Sequence, residues 1–193
     1  MSEIQRSFSS DHEVDILDAG CGQGWRLDLG GVPHRITGID SDADAVRLRQ
    51  EKRGDLTESL VGDLITVDLP ISHYDVVHSS FVLEHIAGAD QVLDRFFRWL
   101  RPGGLLLLAI PDRDSAFGFL SRVTPFWLHV LYRRHIFRQP NAGNPGYAPY
   151  PTFYDRVISV QGMREYCSAG GHSVVKERCP DQRQTFPSPW ADL

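Results

Sequence analysis

Residues Asp15-Ile16-Leu17-Asp18-Ala19-Gly20-Cys21-Gly22-Gln23-Gly24 decide how the chain reads. The run up to Ala19 is a short buried strand, and a short apolar run of this kind needs a sheet around it. The glycines at 20, 22 and 24 let the backbone turn tightly and come close to a ligand with no Cβ in the way. A second short run, Arg35-Ile36-Thr37-Gly38-Ile39-Asp40, follows and ends in an acid. Asp40 lies about twenty residues beyond the bend, the usual reach to a ribose in a βαβ nucleotide site.

A hydride-transfer site asks for G-x-G-x-x-G. Gly20 and Gly22 fit that pattern, but its third place is held by Trp25. The spacing is G-x-G-x-G, preceded by Asp18 and Ala19. Further along come Gly62-Asp63-Leu64 after an apolar run, then Tyr74-Asp75-Val76-Val77-His78-Ser79-Ser80 and Phe81-Val82-Leu83-Glu84-His85-Ile86, then Leu100-Arg101-Pro102-Gly103-Gly104 before Leu105–Ile110. In that order these segments resemble the class I S-adenosylmethionine-dependent methyltransferases. Residues 14–112 carry the resemblance, and the look of 124–152 is similar to a subgroup of small bacterial members. The resemblance implies an α/β fold: a Rossmann-like three-layer sandwich on a mostly parallel sheet. Here Gly30, Gly31 and Pro33 shorten the first helix, and prolines at 187 and 189 crowd a seventh strand at Thr185-Phe186.

Local signals place the remaining elements. Ser41 reads as the N-cap of a helix to about Arg53, with Asp44 three positions on as in a capping box. Leu56–Val61 reads as a third strand and Tyr74–Ser80 as a fourth. From Asp90 to Arg101, Val92, Leu93, Phe96, Phe97 and Leu100 recur at helical spacing and form a core face. Arg101–Gly104 stop that helix ahead of a buried fifth strand, Leu105–Ile110. Ser115–Arg122 and Thr124–Arg138 read as helices. The stretch 139–155, rich in Pro, Gly, Asn and Tyr, reads as an ordered lid. Ser159 caps a helix through about Ser168, and Ser173–Arg178 reads as a sixth strand. The expected organisation is one domain over 1–193: a loose arm at 1–12, a cofactor-binding core at 14–112, a lid over the acceptor site at 113–158, and a closing helix, strand and tail at 159–193.

Bulk properties exclude some classes. The net charge of −5 over 193 residues argues against a nucleic-acid binder, which would normally carry a basic face. The three cysteines have no paired metal spacing and read as reduced thiols in a cytoplasmic protein. No apolar run approaches the roughly 20 residues of a membrane span, so stable insertion is not expected. Phe126-Trp127 beside Arg133-Arg134 would allow peripheral contact.

The resemblance implies S-adenosylmethionine as cofactor and a small molecule as methyl acceptor, on oxygen or nitrogen (EC 2.1.1.-). It assigns cofactor binding to Asp18, Gly20, Cys21, Gly22, Gly24, Asp40, Ser41, Asp63, Leu64 and Ser79. Asp40 would accept from the vicinal ribose hydroxyls, Asp18 would attract the ammonium or brace the turn, and Asp63 would take the adenine amino group or cap a turn. Glu84 and His85 are the candidates for proton transfer, an imidazole being suited to a general base. Relatives with E-x-x-E-H place a metal there; here the first acid is replaced by Phe81, and no metal is expected. Three other readings are a cofactor-binding scaffold without catalysis, an enzyme for a membrane-linked acceptor, and a hydride-transfer enzyme. Trp25 argues against the last.

Overall fold

The computed structural model describes residues 3–8, 13–24, 29–114, 126–135, 150–153 and 155–178. Five strands form one parallel sheet in the order β3-β2-β1-β4-β5: β1 Val14–Ala19, β2 His34–Asp40, β3 Glu58–Val61, β4 Tyr74–Ser80 and β5 Leu100–Ala109. β1 and β4 lie between neighbours and are buried along most of their length, as expected of strands covered on both faces.

Side-chain alternation sends Ile16 and Val76 to one face and Leu17 and Val77 to the other, and each face has its own core. On the first face α1 (Glu3–Ser7) buries Ile4 against Val14 and Ile16. Residues 3–7 are thus a docked turn of helix, in place of the loose arm expected over 1–12. α2 (Ala43–Lys52) covers the same face, because its Arg49 reaches Asp18, which shares the parity of Ile16. On the second face α3 (Ala89–Trp99) buries Val92, Leu93, Phe96 and Trp99, joined by Val157 and Ile158. α4 spans Phe126–His135 and α5 Val160–Ala169, the latter capped by Ser159 Oγ on the Gly162 amide at 3.0 Å.

Several expectations are corrected. The N-cap of α2 is Asp42, whose Oδ1 accepts from the Asp44 and Ala45 amides at 2.9 and 3.2 Å. Ser41 still belongs to the turn, because Asp40 Oδ1 holds the Asp42 amide at 2.9 Å. Arg101–Gly104 do not precede β5 but bulge from it: Tyr74 pairs with Leu100 and Val76 with Leu105, so these four residues of β5 stand opposite Asp75 alone on β4. Leu105–Ile110 are half-buried, because β5 is the sheet edge among the described residues. Residues 173–178 are not a strand. They have no sheet neighbour among the described residues, and Val175 is 75% exposed. Residues 115–122 and 185–186 lie outside the described residues, as do Thr124-Pro125 and Trp25–Asp28, where the shortened first helix was expected.

The bulge has a purpose. Arg101 Nη1 donates to both oxygens of Asp75 at 2.9 Å and Nη2 to Asp15 Oδ2 at 3.0 Å, while the Asp15 amide donates to Asp75 Oδ2 at 2.9 Å. This clasp ties β1, β4 and β5 at their N-terminal ends and leaves the carboxyl ends free to form a site.

Candidate cofactor site

The bend after β1 is held by β2. The Gly20 and Cys21 amides both donate to the Ile39 carbonyl, at 2.8 and 2.9 Å. Gly20 has φ +76°, and a Cβ there would lie 2.2 Å from Val82 Cγ2, so no side chain fits. Gly22, at φ +47°, differs: a Cβ there would meet nothing within 4 Å. The bend is therefore packed on its inner side and open on its outer side.

Asp40 closes the loop between β2 and the bend. Its Oδ2 accepts from the Gly22 amide at 2.8 Å and its Oδ1 from the Asp42 amide at 2.9 Å. Two backbone donors fix the carboxylate at the rim, and each oxygen keeps a further lone pair. In an open α/β sheet ligands bind at this place, outside the carboxyl ends of the strands.

Asp18 lies beneath the bend and is buried. Arg49, with a side chain 0% exposed, donates from Nη1 to Asp18 Oδ2 at 2.5 Å and to the Cys21 carbonyl at 2.9 Å. Its Nε and Nη2 fork onto Asp55 at 3.1 Å. His78 Nδ1 meets the other Asp18 oxygen at 2.9 Å. Arg49 thus carries the bend from below, and sequence reasoning missed it. One signal was available: Arg49 stands three positions after buried Val46, on the inner face of α2. Cys21 is buried, and burial, then the charges of Asp18 and Asp40, push its thiol up to about 12, so it contributes a neutral side chain.

The other candidates divide. Ser79 is buried on the α3 side of β4, its Oγ without a partner among the described residues. Asp63 is exposed at the end of β3, where Oδ1 caps a turn by accepting from the Ile65 amide at 2.7 Å. The Leu64 side chain belongs to the α3-side core. Ser41 is exposed beyond Asp40. A Cβ at Gly24 would meet the Arg53 guanidinium at 2.5 Å.

Glu84 and His85 form a single turn of 3-10 helix with Leu83, at the end of β4. Glu84 is 4% exposed, its Oε2 has no partner among the described residues, and burial pushes its carboxyl up to about 7. His85 Nδ1 lies 2.8 Å from the Pro151 carbonyl. A carbonyl only accepts, so Nδ1 carries a hydrogen, and in the neutral ring Nε2 holds the lone pair. His78 sits beside Asp18, away from this turn. A cavity of about 520 Å³ lies elsewhere, between the start of α3 and α5. Its walls serve the fold: Asp155 caps α3, and Arg156 pairs with Glu165 at 2.5 Å.

Comparison with known proteins agrees with this geometry. The methyltransferase domain family profile matches residues 2–156. A protein of Mycolicibacterium smegmatis, named a probable S-adenosylmethionine-dependent methyltransferase, is 37% identical over 178 residues, 91% of this chain and 66% of that protein. The malonyl-[acyl-carrier protein] O-methyltransferase of Serratia marcescens is 32% identical over 88% of this chain and 58% of its own length. The chain thus spans less than two thirds of the length of these relatives. Among solved structures, the YcgJ protein of Bacillus subtilis superposes with a TM-score of 0.53 at 15% identity, over 81% of this chain and 61% of that one, a likeness of fold. With a glycine bend, a carboxylate-tipped second strand and a family match over most of its length, the chain belongs to the class I S-adenosylmethionine-dependent methyltransferases.

Proposed function

We propose that the chain transfers a methyl group from S-adenosylmethionine to an oxygen or nitrogen of a small-molecule acceptor, in the cytoplasm. The observation that carries this is the Asp40 carboxylate bonded to the Gly22 amide beside the open outer side of the bend. The bend accommodates a ligand lying on its backbone, and the donor set suits an adenosyl group: a fixed carboxylate for vicinal hydroxyls, and amides for the amino-acid half. In this reading Asp40 takes the ribose, the Gly20–Gly24 backbone takes the methionine half, and Asp18 serves from below by holding the bend. Asp63 and the Leu64 main chain border the adenine, and Ser79 lines the floor.

When bound, the cofactor supplies a methyl group on a positively charged sulfur, which leaves with the bonding electron pair. The chain's own part is to hold donor and acceptor in line, worth several kcal/mol by itself. His85 Nε2 accepts the proton that the acceptor O–H or N–H loses. Glu84 stays beneath it as a buried carboxyl. Tyr150–Phe153, bonded to the Glu84-His85 turn, would border the acceptor side.

Calorimetry with S-adenosylhomocysteine tests the reading. Binding is expected, and Asp40→Ala should weaken it by about 10- to 100-fold, the range for a hydrogen bond to a charged group. A folded sample that binds neither this ligand nor S-adenosylmethionine overturns the proposal.

A second reading has a lipid-linked acceptor. One observation favours it: Trp127, 63% exposed, and exposed Leu131 stand one turn apart on α4, ahead of exposed Arg134 and His135. It expects flotation with vesicles of anionic lipid, lost in Trp127→Ala/Leu131→Ala. Wild-type protein that stays in the dense fraction removes this reading. Among the described residues no helix is long and apolar enough to cross a membrane.

A further inference from the structure

The segment Tyr150–Phe153 reaches the rim from far along the chain. The Phe153 amide donates to the Glu84 carbonyl at 2.7 Å, and His85 Nδ1–H donates to the Pro151 carbonyl at 2.8 Å across a separation of 66 residues. The Tyr150 ring meets the His85 ring edge to face, with centroids 5.6 Å apart. Beyond Phe153 the chain is anchored: Asp155 Oδ2 accepts from the Gly88 and Ala89 amides at 2.9 and 3.0 Å, capping α3, and Val157 and Ile158 enter the core. The segment thus has a rigid foot and a middle latched at two points.

Strand order fixes what lies below it. The His85 end belongs to β4 and the Asp40 end to β2, and β1 with its glycine bend runs between them. Two strand spacings are about 10 Å, a gap that a tyrosine side chain and its backbone largely cover. Tyr150 stands at the β4 side of that gap, its ring against His85. Burial, then the negative charges of Asp42 and Asp40 on the β2 side, push its hydroxyl up. It is still 43% exposed, as a ring would be that covers a crevice and is not part of a core.

We propose that Tyr150 roofs the cofactor crevice, and that the Nδ1–H of His85 is the latch that keeps it there through the Pro151 carbonyl. His85 is then a positioning residue at Nδ1, while Nε2 remains for the acceptor. Protonation of the ring leaves the Nδ1 hydrogen in place, so the latch holds in both charge states. The roof slows cofactor exchange and fixes the adenosyl group between strand ends. This inference rests on the cofactor reading above.

The test is the release rate of tritiated S-adenosylmethionine after rapid dilution, which needs no acceptor. Tyr150→Ala and His85→Ala should release it at least about fivefold faster than wild type. His85→Asn places an amide N–H near the position of Nδ1–H and should release it at close to the wild-type rate; His85→Gln, whose amide mimics Nε2, should behave like alanine. Wild-type rates in both alanine variants overturn the roof. Equal, fast release in His85→Asn and His85→Ala overturns the latch. Wild-type protein that retains no label fails the cofactor reading instead, an outcome distinct from the other two. Tyr150 and His85 lie outside the buried core, and thermal melts confirm that each variant is folded.

Discussion

Asp18→Ala should lower folding stability by about 3–5 kcal/mol, the usual result of removing one partner from a buried ion pair. Arg49 would remain 0% exposed without the buried carboxylate that meets its Nη1. His78 would lose the carboxylate facing its Nδ1. The effect should extend to ligand binding, because Arg49 holds the Cys21 carbonyl inside the bend; S-adenosylhomocysteine binding should fall even in the fraction that is folded. Asp18→Asn keeps an acceptor toward Arg49 and should cost clearly less. Arg49→Met removes the guanidinium that meets buried Asp18 and should fall in the same range as Asp18→Ala. The double variant Asp18→Ala/Arg49→Met removes both charges, so its loss should be smaller than the sum of the two single losses. Urea unfolding followed by circular dichroism measures all four variants. An Asp18→Ala protein within about 1 kcal/mol of wild type would show that the buried network does not support the bend.

That network also marks the limit of what the sequence made legible. The bend and Asp40 could be read because each belongs to a local pattern, glycines at alternate positions and an acid at a strand end. The structure joins them through the Gly22 amide. The β4 limits, Tyr74–Ser80, agree with the reading, because Tyr74, Val76 and Val77 mark a buried strand locally. Edges are harder. Whether Ser173–Arg178 pairs depends on what stands beside it, and adjacent valines cannot show that. Arg49 was not picked out because its partner Asp18 is 31 residues away and an arginine in a helix reads as solvated. Asp155 as the cap of α3 was equally hidden: Gly88 at the N-cap has no side chain to offer, and the carboxylate arrives from 67 residues downstream. Local chemistry therefore marks the bend and Asp40, whereas the residues that brace them come from distant chain and need the fold.

Glu84 gives a prediction whose sign depends on pH. Burial raises its carboxyl from 4.5 to about 7, so between these values the folded chain holds a proton that the unfolded chain has released. Where the folded state binds more protons, stability falls as pH rises. The ionisation of Glu84 thus costs nothing below about pH 4.5, and this cost grows up to pH 7 and is then constant. At about 1.4 kcal/mol per pH unit, the accumulated difference is about 3 kcal/mol. Glu84→Gln removes the charge at every pH. Its stability relative to wild type should climb by about 3 kcal/mol from pH 4.5 to pH 8, while any fixed cost of burying the amide shifts the curve without changing its slope. Chemical denaturation of both proteins across this range reads the slope directly. A flat difference would mean that Glu84 is ionised in the folded chain. Its Oε2 would then have to be solvated or paired, and the turn that carries His85 would hold a carboxylate and not a neutral acid.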